Sequence, residues 1–202
     1  MIDRIVLASG NRGKLNEFNQ ILAPLHVSVM PQADFAVRDA EETGLSFVEN
    51  AILKARHACQ VTGLPALADD SGLEVDALRG APGIYSARYA GEGASDEENN
   101  RKLIAALANV PDAERTARFQ CVLVFMRHAE DPTPLICQGS WEGYILHEPR
   151  GQNGFGYDPL FLVPEHDCAS AELLPEQKHA LSHRGKAVQQ LLQSIAPYLS
   201  RA

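Results

Sequence analysis

Ala68-Asp69-Asp70-Ser71-Gly72-Leu73 closes a short apolar run, residues 64–68, with two adjacent carboxylates and a Ser-Gly pair. The pattern predicts a strand that ends in Asp-Asp, followed by a turn. Carboxylates delivered to a sheet edge are hard oxygen ligands of the kind Mg2+ takes. Two neighbouring carboxylates also repel, which raises the pKa of one of them unless a cation neutralises the pair. Asp-Ser-Gly is equally a common turn sequence. Glu41 and Glu42, just before Thr43-Gly44, are further candidate oxygen ligands, or a solvated acidic loop.

Upstream, residues 5–8 read as a buried strand, and residues 14–22 as a helix with Leu15, Phe18, Ile21 and Leu22 on one stripe. Between them lies Ser9-Gly10-Asn11-Arg12-Gly13-Lys14. Glycines let backbone approach a phosphate, helix-start N–H groups carry partial positive charge, and Lys14 adds a full one. The stretch lacks the GxxxxGK[ST] pattern of a Walker loop, and a plain strand-to-helix turn has the same composition. Residues 27–30 read as a second strand and 31–45 as an acid-rich loop. Ser46 and Glu49 form a capping box ahead of a helix over 46–61, stopped by Gly63 and Pro65. On that helix Asn50, Lys54 and His57 fall on the polar side.

Downstream, residues 73–77 continue the strand pattern beyond the turn. Residues 80–85 are turn-rich, and Ser95 with Glu98 caps a helix over 95–107. Residues 117–126 and 135–146 read as a long strand pair joined by the polar, Pro-containing segment 128–134. Asn153-Gly154-Phe155-Gly156-Tyr157-Asp158-Pro159 pairs two aromatics with glycines; an aromatic face can stack on a base, and a Gly-rich turn with a core Phe fits as well. Ser182-His183-Arg184-Gly185 opens a final helix over 182–199 with Val188, Leu191, Leu192, Ile195 and Leu199 on one face. Two donors at a helix start run against the local dipole, and such breaches tend to fall at sites. Lys178 lies just upstream. Strands alternating with helices, then a long strand pair, predict an α/β protein with a mixed sheet and a β-rich lobe.

The chain has 202 residues, 22% charged and 45% hydrophobic, enough for a core without staples. Its net charge of −8 argues against nucleic acid as a partner. No run approaches the length of a membrane span, and the N-terminus reads as a first strand instead of a signal peptide, so a cytoplasmic location is expected. The four cysteines, Cys59, Cys121, Cys137 and Cys168, form no CxxC pair. Zinc and dithiol chemistry are not expected of them.

In order along the chain, Ser9-Gly10-Asn11-x-Gly13-Lys14, Ala68 to Leu73, Gly154 to Pro159, and Lys178 with Ser182-His183-Arg184-Gly185 closely resemble the motifs of the inosine/xanthosine triphosphate pyrophosphatase family. Glu42-Thr43-Gly44, Glu49-Asn50-Ala51 with Lys54, and Gly80 to Arg88 resemble it too. Each motif alone is weak, and together they span nearly the whole chain. The resemblance implies a single domain over residues 1–202, with two lobes around an elongated mixed β-sheet and flanking helices, usually as a homodimer. It implies Mg2+-dependent hydrolysis of ITP, dITP and XTP to monophosphate and pyrophosphate. By position, Ser9, Gly10, Asn11, Arg12, Gly13, Lys14 and Lys54 would hold the triphosphate, and Asp70 would be the general base. Glu42, Asp70 and Asp69 would hold metal. Ser71, Phe155, Gly156, Tyr157, Asp158, Lys178, His183 and Arg184 would hold the nucleotide. The family pattern often has Thr where this chain has Ser9; the hydroxyl persists. Two rival readings are a pyrophosphatase for pyrimidine nucleotides and a non-catalytic nucleotide-binding protein. The second would have no need of Asp70.

Overall fold

The computed structural model describes residues 2–200. Among the described residues seven strands form one mixed sheet in the order β2-β1-β3-β4-β5-β6-β7. The strands are β1 (Arg4–Leu7), β2 (Ser28–Pro31), β3 (Ala66–Val75), β4 (Thr116–Met126), β5 (Leu135–Ile145), β6 (Phe161–Val163) and β7 (Cys168–Ala169). The helices are α1 (Arg12–Leu22), α2 (Phe47–Thr62), α3 (Asp96–Ala106), α4 (Pro175–Leu181), α5 (His183–Ser194) and α6 (Ala196–Ser200). The chain divides into two compact units. One is Met1–Asp70, Val122–Gln138 and Ala187–Ala202; the other is Ser71–Cys121 and Gly139–Lys186.

In the first unit β1 pairs in parallel with both β2 and β3. Parallel neighbours need a crossover, and α1 supplies the one from β1 to β2. Asn19 on α1 ties that crossover down, donating to the Val29 carbonyl and accepting from the Val29 N–H, each at 2.9 Å. α2 buries Ala51, Ala55, Ala58 and Cys59, and these join Ala66 and Ala68 of β3 and Val122, Val124 and Met126 of β4 in one apolar cluster. Small side chains on both helix and strand let the backbones approach closely. That fixes how far Lys54, on the same helix, can reach.

In the second unit β5, β6 and β7 run antiparallel. The core there is larger-grained: Leu73, Val75, Leu103, Leu107, Phe119, Trp141, Tyr157, Leu160 and Phe161 cluster together. Arg115 is buried and gives its guanidinium to three carbonyls, Ile145, Leu107 and Leu146, at 2.8–3.0 Å. A buried cation is tolerated when its donors are matched in this way.

Several local expectations are corrected. Residues 66–75 form one uninterrupted strand through Ser71-Gly72, so Asp69 and Asp70 sit in mid-strand, and β3 lies inside the sheet between β1 and β4. β3 pairs with β1 at Ala66 and Leu67 and lies beside β4, and just past Ser71-Gly72 the Leu73 N–H donates to Ser86 Oγ; these contacts hold the backbone extended where local turn preference alone would bend it. Ser46 caps α2, but the Glu49 carboxylate accepts from the Leu45 N–H and the Ser46 hydroxyl, which holds its pKa below the usual range. At α3 the full capping box of Ser95 and Glu98 is present. The C-terminal helix is broken into α5 and α6 at Ile195, because Pro197 offers no N–H to continue the ladder. Leu192 is exposed, whereas Val188, Leu191, Ile195 and Leu199 are buried. Helix α4 was not foreseen. Asn50 is fully buried and accepts from the Gly44 N–H, so it does not share a solvated face with His57.

Candidate functional site

Two groupings of the expected residues emerge, one in each unit. In the first unit, α1 begins directly after β1. Asn11 caps it, its Oδ1 accepting from the N–H groups of Gly13 at 2.8 Å and Lys14 at 3.1 Å, while its own N–H donates to Ser9 Oγ at 3.2 Å. This alters the expectation for the helix start: two of the N–H groups that would meet a phosphate are held by the Asn11 side chain. Gly10, Arg12 and Gly13 are exposed. Lys14 turns back to β3 and places Nζ 2.6 Å from Asp69 Oδ2, with the Asp69 side chain almost wholly buried.

On the opposite pleat of the strand, Asp70 Oδ1 accepts from Lys54 Nζ at 2.8 Å, and Glu42 Oε1 accepts from the same ammonium at 3.0 Å. Lys54 thus stands between two carboxylates, each side chain of the trio less than one-third exposed. Burial raises the Asp70 pKa; Lys54 opposes this, while Glu42 and Asp69 reinforce it. Burial works against the Lys54 charge as well, yet Asp70 and Glu42 outweigh it and hold its pKa raised. Burial is thus the main cause of the Asp70 shift, and the two acids are the cause of the Lys54 shift. Asp70 Oδ2 is buried and makes no hydrogen bond. Among the described residues no group of three or more His, Cys, Asp or Glu is placed to hold a metal ion. Asp69, expected with Glu42 and Asp70, is instead engaged by Lys14.

In the second unit a cavity of about 170 Å³ is lined by Ser71, Phe155, Gly156, Tyr157, Asp158, Lys178, His183 and Arg184, every nucleotide-holding residue expected there. Asp158 is buried and organises one wall. Its Oδ2 accepts from the Phe155 N–H at 2.9 Å and from Lys178 Nζ at 2.5 Å, and its Oδ1 from the Ser170 hydroxyl at 3.0 Å. Gly154 has φ +80°, and a Cβ there would collide with the Asp158 carboxylate. Phe155 is left 71% exposed, with Lys178 Nζ 5.2 Å from its ring centroid. From α3, Asp96 accepts from the Gly156 N–H at 2.6 Å and Asn100 donates to the Gly156 carbonyl at 2.9 Å, gripping that peptide on both sides. Tyr157 is buried, and its hydroxyl donates to the Ser86 carbonyl. The Ser71 hydroxyl is buried and makes no hydrogen bond.

His183 and Arg184 owe their place to the α4–α5 junction. Ser182 Oγ accepts from the Gly185 N–H, and a Cβ at residue 185 would run into the His179 carbonyl. The His183 imidazole stacks on Phe119. Phe119, Ser86, Asp96 and Asn99 also line the cavity and were missed. Asp96 and Asn99 lie three apart on a helix whose capping box was legible, so a polar stripe was there to be found. Phe119 reads as a strand core residue and carries no such signal.

The sequence profile of the Ham1 family matches residues 5–194. The chain belongs to the Ham1 family. Among Ham1 relatives, a protein of Vibrio parahaemolyticus named dITP/XTP pyrophosphatase is 63% identical over 96% of both chains. One of the same name from Yersinia pestis is 61% identical over 96% of this chain and 98% of its own. The Ham1 fold is shared with a solved HAM1 protein from Coxiella burnetii, which has 54% identity, a TM-score of 0.94, and coverage of 98% of this chain and 100% of the other. A nucleoside-triphosphatase (dITP/XTP pyrophosphatase) from Mycobacterium abscessus aligns at 41% identity with TM-score 0.79, over 93% of this chain and 97% of its own. The expected α/β architecture with a mixed sheet is therefore the Ham1 architecture.

The thiols take no part in either grouping. Cys59 and Cys137 are buried, and burial pushes both up to about 11, so neither is a thiolate nucleophile near neutral pH. No helix among the described residues is long and apolar enough to cross a membrane.

Proposed function

We propose that this Ham1 protein hydrolyses deaminated purine nucleoside triphosphates, ITP, dITP and XTP, to the monophosphate and pyrophosphate. The observation that carries the reading is Asp70. Its carboxylate is largely buried, one oxygen is fixed by Lys54, and the other is unpartnered. A carboxylate with a raised pKa and a spare oxygen suits general-base work.

Water attacks the α-phosphorus, its proton passes to Asp70, and the bond from the α-phosphorus to the bridging oxygen of the β-phosphate breaks. General-base help of this kind is worth roughly 10² to 10⁴ in rate. The leaving pyrophosphate develops charge that fixed cations meet. Lys14, oriented by Asp69, and Lys54 supply that charge, with Ser9, Asn11 and Arg12 at the head of α1.

A divalent ion fits Glu42 and Asp70. Their carboxylates already converge on one cation, the Lys54 ammonium, through Glu42 Oε1 and Asp70 Oδ1, and those oxygens would face the ion while the second Asp70 oxygen stays unpartnered for the water. Mg2+ is commonly held by one or two carboxylates together with substrate phosphates, so a two-carboxylate set suits it. Bound there, it would neutralise phosphate charge.

The cavity of the second unit takes the base. Hypoxanthine and xanthine present O6 as an acceptor, whereas adenine presents an amino donor. Donors from His183 and Arg184 match O6 and oppose the amino group. A buried mismatch of that kind costs about 1 to 3 kcal/mol. The same reading takes the protein as a cytoplasmic homodimer, and sedimentation velocity tests the dimer.

The deciding experiment is turnover of purified protein against common and deaminated nucleoside triphosphates, with and without Mg2+, with pyrophosphate quantified. ITP, dITP and XTP should be hydrolysed only with the metal. Equal turnover of ATP and GTP, or release of orthophosphate alone, refutes the reading.

A further inference from the structure

Phe119 lies in β4 and is 8% exposed, and the face it leaves open lines the cavity of the second unit. Its ring stacks on the His183 imidazole, with centroids 4.9 Å apart and planes 17° from parallel. It also meets Phe161 at 4.5 Å and Trp141 at 6.4 Å, and Trp141 meets Phe161 at 5.3 Å. His183 is the first residue of α5. The helix start fixes its backbone but leaves two side-chain torsions to be set by contacts. A flat, offset stack against a ring that is itself wedged between two others restricts those torsions.

We infer that Phe119 is a specificity-determining positioning residue: it sets the plane of the His183 imidazole, and so the direction of the ring N–H that meets the base. This rests on the reading of His183 as a donor to a purine O6. Phe119 need not touch the base to act. Without the ring beneath it, the imidazole can rotate away from the acceptor, and the preference for O6 over an amino group weakens.

The test compares kcat/KM for ITP and ATP in Phe119→Leu, Phe119→Tyr and Phe161→Leu, with thermal unfolding of each. Phe161 is the control, being in the same aromatic cluster but not stacked on His183. Phe119→Leu should lower the ITP-to-ATP ratio about five- to tenfold, mainly through KM. Phe119→Tyr, which keeps the ring, should restore the ratio. Phe161→Leu, which leaves Phe119 under His183 with Trp141 still beside it, should lose stability yet keep most of the ratio. A wild-type ratio in Phe119→Leu overturns the inference, as does an equal loss in Phe161→Leu. If Phe119→Leu does not fold, the wild-type His183 ring protons decide. They should lie upfield through the Phe119 ring current and move when inosine monophosphate is added; unshifted signals overturn the inference. Wild-type protein that turns over ATP as readily as ITP sinks the underlying reading of the site, and is told apart from the other outcomes because it shows in the parent enzyme.

Discussion

Asp69 and Asp70 are neighbours in one strand and hold different lysines, Asp69 taking Lys14 at 2.6 Å and Asp70 taking Lys54 at 2.8 Å. The pleat of β3 sends successive side chains to opposite faces. One face meets the helix that follows β1 and the other meets α2. Two carboxylates that repel as a pair are thereby separated and given a cation each, which divides the work between them.

Asp70→Asn should keep the fold and bind ITP while losing turnover by about 10² to 10⁴. Single-turnover kinetics beside equilibrium binding of a non-hydrolysable analogue checks this. Near-normal turnover removes Asp70 from the role of base.

The same substitution should raise stability at neutral pH. Asp70 titrates higher in the folded protein than its ordinary value of 3.8. The folded state therefore holds that proton more tightly than the unfolded chain. Stability falls as pH rises from 3.8 through the raised value and is flat above it. Asn carries no such charge, so in metal-free protein Asp70→Asn should melt higher than wild type at pH 7 and match it near pH 3. Each kcal/mol gained should appear as about 2–4 °C in Tm. A lower melting point for the variant at pH 7 contradicts this sign.

Lys14→Met leaves the Asp69 carboxylate buried without its ammonium. Breaking a buried pair from one side costs about 3–5 kcal/mol, and somewhat less here because the Lys14 side chain keeps 21% exposure. Arg12→Met, at an exposed position of the same turn, should stay within about 0.5 kcal/mol of wild type. Urea unfolding of the two variants separates them, and equal midpoints would count against the pairing.

Asp158→Ala should act on binding. It releases the Phe155 N–H, the Lys178 ammonium and the Ser170 hydroxyl together. KM for ITP should rise about tenfold or more, with kcat changed less, as expected where an interaction common to ground and transition states is lost. A pure kcat effect would place Asp158 in the chemistry instead.

Gly185→Ala should lower both Tm and affinity, because the added methyl group meets the His179 carbonyl and pushes the start of α5 out of place. A crystal structure of the variant with His183 and Arg184 unmoved would refute that account.

Much of the fold was legible because period and punctuation agree locally. Residues 46–61 and 95–107 announced helices by their caps, and residues 117–126 and 135–146 announced strands by their β-branched and aromatic content. The errors share one cause. Ser71-Gly72 looks like a turn, yet it continues a strand that lies inside the sheet; Asn50 looks solvated, yet the loop at Gly44 buries it. In each case a packing contact overrode a local preference: neighbouring strands hold β3, and a loop six residues away closes over Asn50. Phe119 escaped notice for the same reason, since a strand phenylalanine looks alike whether it meets core or cavity.

The sequence by itself determined the α/β architecture, the family and the residue types at the two groupings, because these follow from periodicity and from motifs contiguous in the chain. Only the tertiary structure decided that Asp69 belongs to Lys14, that Glu42 and Asp70 share Lys54, that Asp158 anchors the Phe155 loop, and that Phe119 lies under His183. Apart from Asp158 and Phe155, three positions apart, those partnerships join residues 12 to 64 positions apart. A charge or a ring has no way to declare its partner at that separation until folding removes water and leaves each buried group one neighbour that can satisfy it.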